Sequence, residues 1–176
     1  MIVNTNDIEI VVNALKEGRI VIMPTDTIYG FHCLYSNQKL IDMINEIKGR
    51  EVTMPIITLI SDKKDLKLFG VKVGGIEKIQ VKTFWPGPNT LIFQTKDLGK
   101  RSFRLPNNEF LLSVLRKTGP LISTSANKHG MPHSKSIEDA VSYFGDKIDL
   151  YVDGGILDNP PSSIYEIIDE TTVRIR

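Results

Sequence analysis

With 176 residues, and 22 Lys plus Arg against 21 Asp plus Glu, the chain is long enough for one buried core. Its near-neutral balance excludes holding a polyanion by overall charge alone. A single cysteine, Cys33, excludes an internal disulfide and a cysteine-based zinc cluster, and no run approaches the roughly 18 apolar residues of a membrane span.

Residues 6 to 17 put Ile8, Val11, Val12 and Leu15 on one helical face, with Asn6 as expected N-cap and Gly18 as terminator. The apolar run 19 to 23 then reads as a strand covered on both faces and stopped by Pro24. A helix over 37 to 47 carries Leu40, Met43, Ile44 and Ile47 behind a Ser36 cap and closes at Gly49. Another buried strand is expected over 55 to 60, and one or two helices over 62 to 82, interrupted at Gly70 and Gly74-Gly75. Past the turn Trp85-Pro-Gly-Pro88 come strands over 89 to 95 and 101 to 105, a helix over 108 to 117 and a strand over 121 to 123. After the loop 127 to 134, a helix near 136 to 144 leads to Tyr151-Val152, the Asp153-Gly-Gly155 turn, and strands near 163 to 168 and 172 to 175. Helices and strands mix without strict alternation and no linker divides the chain. The expectation is one α/β domain over 1 to 176, with a twisted sheet of mixed parallel and antiparallel strands flanked by helices.

Neither a P-loop nor a G-x-G-x-x-G fingerprint occurs, so a nucleotide would have to be bound another way. His129 and His133 are four apart, but Gly130 and Pro132 prevent the helix that would converge them on a metal, and two loop histidines are the plainer reading. Ser61-Asp-Lys-Lys64 and Lys117-Thr-Gly119 match fragments of a covalent serine motif whose third element is missing. Cys33 sits in an apolar context that suits a core residue better than a nucleophile. Lys48 and Arg50 fall at a helix end, where they either complement the helix dipole or supply the cations a triphosphate needs. Hydroxyl and amide clusters close three apolar runs: Pro24-Thr-Asp-Thr27, Ser123-Thr-Ser-Ala-Asn127 and Pro161-Ser-Ser163. Each is either local turn chemistry or one wall of a polar pocket that also takes in Arg104 and the turn before Thr90.

Taken in order, Pro-Thr-Asp-Thr-Ile-Tyr-Gly30, Lys-Gly-Arg50, Trp-Pro-Gly-Pro-Asn-Thr90, Phe-Arg-Leu-Pro106, Ser-Thr-Ser-Ala-Asn127, Asp-Gly-Gly155 and Ser-Ser-Ile-Tyr-Glu166 resemble the YrdC family, the threonylcarbamoyl-AMP synthases. The resemblance spans nearly the whole chain, in its short form without an appended domain. It implies a reaction of L-threonine, bicarbonate and ATP that yields threonylcarbamoyl-AMP and pyrophosphate for the threonylcarbamoyladenosine of tRNA. It places Thr27, Ser123 and Ser162 on the threonine side, with Arg104 as charge partner. Arg50, Thr90, Ser125, Asn127 and Arg176 fall on the nucleotide side, and Lys48 and Arg50 are the catalytic cations. Mg²⁺ is implied as an ion carried mainly by ATP, with no organic cofactor. Also implied are separate proteins for transfer to tRNA, weak RNA contact, no membrane partner and a cytoplasmic setting.

Three positions depart from the family pattern. Met54 stands where many relatives have Asn, Leu59 where some have a threonine-binding His, and Ser163 where Thr is usual. Two other functions remain in view: a module binding tRNA or double-stranded RNA, which near-neutral charge and one Trp disfavour, and a carbamoyl-transfer domain of the hydrogenase-maturation type.

Overall fold

Among the described residues, runs of β-branched and aromatic residues between Gly, Pro and Asn punctuation form ten strands. They are β1 (Ile2–Asn4), β2 (Val21–Pro24), β3 (Tyr29–Leu34), β4 (Ile57–Leu59), β5 (Asn89–Gln94), β6 (Lys100–Arg104), β7 (Leu121–Ser125), β8 (Leu150–Asp153), β9 (Ser163–Ile168) and β10 (Thr171–Arg174). In this computed structural model, which describes residues 1–50, 56–168 and 171–176, they make one sheet in the order β1-β8-β2-β3-β7-β4-β6-β5-β9-β10. The sheet is mixed as expected: β1–β8, β2–β8, β4–β6 and β5–β9 are parallel, and the remaining neighbours are antiparallel.

Among the described residues five helices flank it: α1 (Ile8–Lys16), α2 (Gln38–Lys48), α3 (Gly75–Phe84), α4 (Glu109–Thr118) and α5 (Ile137–Phe144), with 3-10 segments at Lys63–Phe69 and Gly145–Lys147. Because strand residues alternate faces, Val21 and Met23 pack with α1 and α4, while Ile20 and Ile22 pack with α2 and α5. Around the far strands, Leu91, Phe93 and Phe103 form a third cluster with Leu66, Phe69, Val81 and Trp85. No helix among the described residues is long and apolar enough to cross a membrane.

Several expectations shift by a residue or an element. Asp7, not Asn6, precedes α1, because the Asn6 amide turns back to Asn4 Oδ1 at 2.8 Å. Asn37, not Ser36, caps α2, since its side chain reaches the Leu40 amide at 3.2 Å. Met43, expected on the buried face of α2, is exposed. Strands β1 and β3 were not foreseen, and β7 runs two residues further, through Thr124 and Ser125. The segment 62 to 82 resolves into the 3-10 turn and α3, parted at Gly70, whose φ of +66° ends the first, and at Gly74. Met54 lies outside the described residues.

Candidate active site

A cavity of about 440 Å³ opens where β2, β6 and β7 end and β3 begins, and residues 161 to 164 and Arg176 close its far side. It takes in Thr27, Lys48, Arg50, Arg104, Ser123, Ser125, Asn127, Ser162 and Arg176, which the sequence scatters over 150 positions. Four of its lining residues are Lys or Arg and none, among the described residues, is Asp or Glu. A larger concavity of about 690 Å³ lies at the opposite sheet edge, where β5 ends and β6 begins. It takes in none of the three hydroxyl clusters, so the smaller cavity is the functional candidate.

Pro24 ends β2 and delivers the chain into a turn built on Thr25. The Thr25 hydroxyl donates to the Ile28 carbonyl at 2.8 Å and accepts the amides of Thr27 and Ile28. Its one proton is thereby used, so in the 3.0 Å contact between the two threonine hydroxyls it is Thr27 that donates. Thr27 Oγ1 also receives Arg104 Nη1 at 3.1 Å. The guanidinium spends its other contacts on the Gly87 carbonyl, through Nε at 3.2 Å, and on the Asp26 carboxylate, which further accepts the Asn107 amide at 3.0 Å. Burial pulls the Arg104 pKa down and Asp26 opposes that pull. Arg104 lines the cavity, yet its hydrogen bonds show it to be the brace of Thr27.

The far wall turns on Lys48, at the last position of α2 and 4% exposed. Its ammonium donates to the Ser125 carbonyl, to the Asn127 carbonyl at 2.7 Å and to Asn127 Oδ1 at 3.1 Å, and stands 5.3 Å from the centre of the Phe31 ring. These three acceptors occupy its three donors, so Lys48 anchors the loop at the cavity wall. Asn127 belongs to the same anchor: its Oδ1 accepts the Ser125 hydroxyl at 2.6 Å and its amide donates to the Met131 carbonyl at 2.6 Å. Arg50 projects into the cavity and donates to Thr124 Oγ1 at 3.0 Å, with burial lowering its pKa.

Thr90, expected to touch nucleotide, does not line the cavity. It is fully buried, and its hydroxyl lies 3.0 Å from that of Ser162, which does line it. Arg176 holds Ser162 from the other side through its carbonyl, at 3.0 and 3.2 Å. Leu59 is packed in the core with α1 and α4, while Ile57 takes the lining position on β4.

The rejected motifs are structural. Ser61 bonds Asp65 at the 3-10 turn and Lys117 pairs with Glu9 on α1. Cys33 is buried, and burial pushes its thiol up to about 12. His129 and His133 both line the cavity, but no group of three His, Cys, Asp or Glu side chains gathers among the described residues.

Sequence reasoning missed three contributors. Ser134 donates to the Ala126 carbonyl at 2.6 Å. The Tyr29 hydroxyl donates to the Gly155 carbonyl at 2.8 Å and accepts the Gly154 amide at 2.9 Å, in a turn where a Cβ on Gly154 would stand 2.6 Å from the Pro24 ring. The third is His32, fully buried on β3 beside Ser123. Burial pulls its pKa down to about 3, against nearby carbonyls of Gly30 and Val21 and with the Arg104 charge. An unfolded chain takes up that proton near pH 6.5, so stability falls as the pH drops from there towards 3. This group alone accounts for about 2 kcal/mol between pH 7 and 5. Denaturant titrations at pH 7 and 5 should show His32→Gln losing about that much less than the wild type over the interval.

Fold and cavity define a class: an α/β protein with a mixed sheet that opens at one edge into a cationic, hydroxyl-lined cleft, suited to a polyanion held beside a small polar molecule. The chain belongs to the Sua5/YciO/YrdC family, whose model, described as "Telomere recombination", matches residues 13–176. A threonylcarbamoyl-AMP synthase of Pyrococcus abyssi is 28% identical over 158 residues, with 84% of this chain and 46% of that protein covered. One of Bacillus subtilis is 32% identical over 165 residues, with 86% and 48% covered. A putative threonylcarbamoyl-AMP synthase of Mycobacterium tuberculosis is 29% identical over 175 residues, with 93% and 80% covered. The chain thus spans about half the length of the first two relatives and most of the third. Among solved structures, P. abyssi Sua5 complexed with L-threonine has a TM-score of 0.92 at 26% identity, covering 100% of this chain and 57% of that one. E. coli YciO, at 20% identity and a TM-score of 0.87, shares the fold over 100% of this chain and 92% of its own.

Proposed function

We propose that this chain is an L-threonylcarbamoyladenylate synthase, joining L-threonine, bicarbonate and ATP into threonylcarbamoyl-AMP and pyrophosphate. The observation that carries this reading is the convergence of four cationic side chains and three hydroxyl clusters, without a lining carboxylate, in one cavity among the described residues. Relatives named as synthases of this product, and one solved in complex with L-threonine, support it.

The chemistry needs no nucleophile from the protein. Threonine's amine adds to the carbon of CO₂ derived from bicarbonate and loses a proton. A carbamate oxygen then attacks the α-phosphorus of ATP, and the bond to pyrophosphate breaks. What the protein supplies is placement and charge. Thr27, Ser123 and Ser162 hold the amino acid, with Arg104 fixing Thr27 and Thr90 fixing Ser162 from behind. Arg50, Arg176 and Ser125 face the triphosphate, across the loop that Lys48 and Asn127 anchor. Among the described residues the lining offers hydroxyls and carbonyls but no carboxylate, a donor set that fits Mg²⁺ arriving on the phosphates rather than held by the protein. Transfer of the threonylcarbamoyl group to tRNA in the cytoplasm falls to separate proteins, and any contact with RNA by this chain is weak.

Pyrophosphate release is the test, with ATP, Mg²⁺, bicarbonate and one amino acid at a time. Threonine should support release, and serine or valine should not. Arg50→Ala or Ser125→Ala should lower ATP use by about tenfold or more. Equal release with all three amino acids, or none with threonine, would remove this reading.

A further inference from the structure

Across the sheet centre, Val21, His32, Ser123 and Ile57 are register partners on one face, which sets an imidazole beside a candidate substrate hydroxyl. His32 Nε2 lies 3.2 Å from Ser123 Oγ. Gly30, two residues earlier on that face, leaves the ring its space: a Cβ there would stand 3.0 Å from His32 Cε1 and 3.4 Å from Nε2. Gly30 and Ser123 line the cavity whereas His32 does not, so the ring lies immediately behind the wall.

Two facts set the direction of the hydrogen bond. Burial and the Arg104 charge keep the ring neutral, with one proton on one of its two nitrogens. Nδ1 makes no hydrogen bond among the described residues, the carbonyls of Gly30 and Val21 near the ring standing outside hydrogen-bonding geometry. A buried N–H without an acceptor is rarer and costlier than a buried lone pair without a donor, so the proton belongs on Nε2. Ser123 Oγ then accepts from behind, and its own proton is free to point into the cavity.

We propose that His32 is a positioning residue that donates Nε2–H to Ser123 and thereby makes the Ser123 hydroxyl a forward-facing donor for a carboxylate oxygen of the amino acid. The ligand half of this statement rests on the proposed synthase activity; the hydrogen-bond half does not. With the opposite tautomer, Ser123 would spend its proton on the ring and meet the ligand only as an acceptor, which suits an ammonium and repels a carboxylate.

The experiment combines a spectroscopic and a binding readout. In wild-type protein labelled with ¹⁵N-histidine, long-range ¹H–¹⁵N correlation reports which nitrogen of each of the three imidazoles carries the proton. His32 is recognised by nuclear Overhauser contacts to its register partners Val21 and Ser123. The expected result is the Nε2–H tautomer. By calorimetry, His32→Leu should weaken threonine binding about tenfold, the worth of one oriented hydrogen bond, with ATP affinity changed less than twofold. His32→Gln, whose amide can donate from a similar place, should recover most of the loss. An Nδ1–H tautomer overturns the proposal, as does threonine affinity unchanged in His32→Leu or an equal loss for ATP and threonine. If neither variant folds, the wild-type tautomer decides. A wild-type chain that binds no threonine tells against the synthase reading, and the tautomer still judges His32.

Discussion

Replacing Arg104 by Met is expected to cost about 3 to 5 kcal/mol of folding stability, the usual result of stranding one partner of a buried ion pair. The pair is nearly dry, with side chains 5% and 8% exposed. Without the guanidinium, Asp26 keeps only the Asn107 amide among the described residues, the Gly87 carbonyl loses a donor, and Thr27 loses the group that fixes its hydroxyl. Urea unfolding monitored by Trp85 fluorescence would measure the loss. A second substitution, Asp26→Leu, should return most of it, because an apolar pair replaces a charged one at little net cost. It should not return threonine binding, since Thr27 would remain unbraced. A loss below about 1 kcal/mol for the single variant would mean that Asp26 reaches water by another route.

The second large effect belongs to Lys48. Lys48→Met should lower pyrophosphate release about a hundredfold, because the Ser125 and Asn127 carbonyls lose their shared donor and the loop lining the cavity loses its anchor. The wild-type pH profile gives an independent check. Burial, reinforced by the Arg50 charge, pulls the Lys48 ammonium down to about 7, while three oxygen acceptors favour its keeping all three protons. The proton is retained on the acid side and lost on the alkaline side, so release should decline as the pH rises through 7 and beyond. The residual activity of Lys48→Met should lack that decline. A variant profile with the same alkaline limb would assign the limb to another group.

How far the sequence carried depends on whether a signal is local. Caps, terminators and apolar faces are local, so α1, α2, α4 and α5 were placed to within about a turn, and the cap errors at Asn6 and Ser36 came from a neighbour one residue on. Strand β3 was missed because Tyr29 to Leu34 carries a glycine and a histidine, which disguise a strand buried on both faces. The end of β7 was set too early because hydroxyls at 124 and 125 look like turn chemistry, and only the cavity beside them explains polar residues in that strand. The cavity residues could be named from an ordered set of motifs. Their division of labour could not, because who braces whom depends on pairings such as Arg104 with Asp26 and Thr90 with Ser162. His32 gave no sequence signal, since its role exists only through a register partner 91 residues away.

The sheet order bears on how the cavity comes into being. Its walls come from strands that are distant along the chain: β3 beside β7, β4 beside β6, β5 beside β9. Such long-range pairings must all close before the cavity has a shape, and closing them is the slow part of folding. No single hairpin of this chain carries enough of the wall to bind by itself. Ligand binding and complete folding are therefore linked equilibria: whatever occupies the cavity stabilises the entire sheet by RT ln(1 + [L]/Kd). The melting temperature of the intact chain becomes a direct gauge of which molecules belong there.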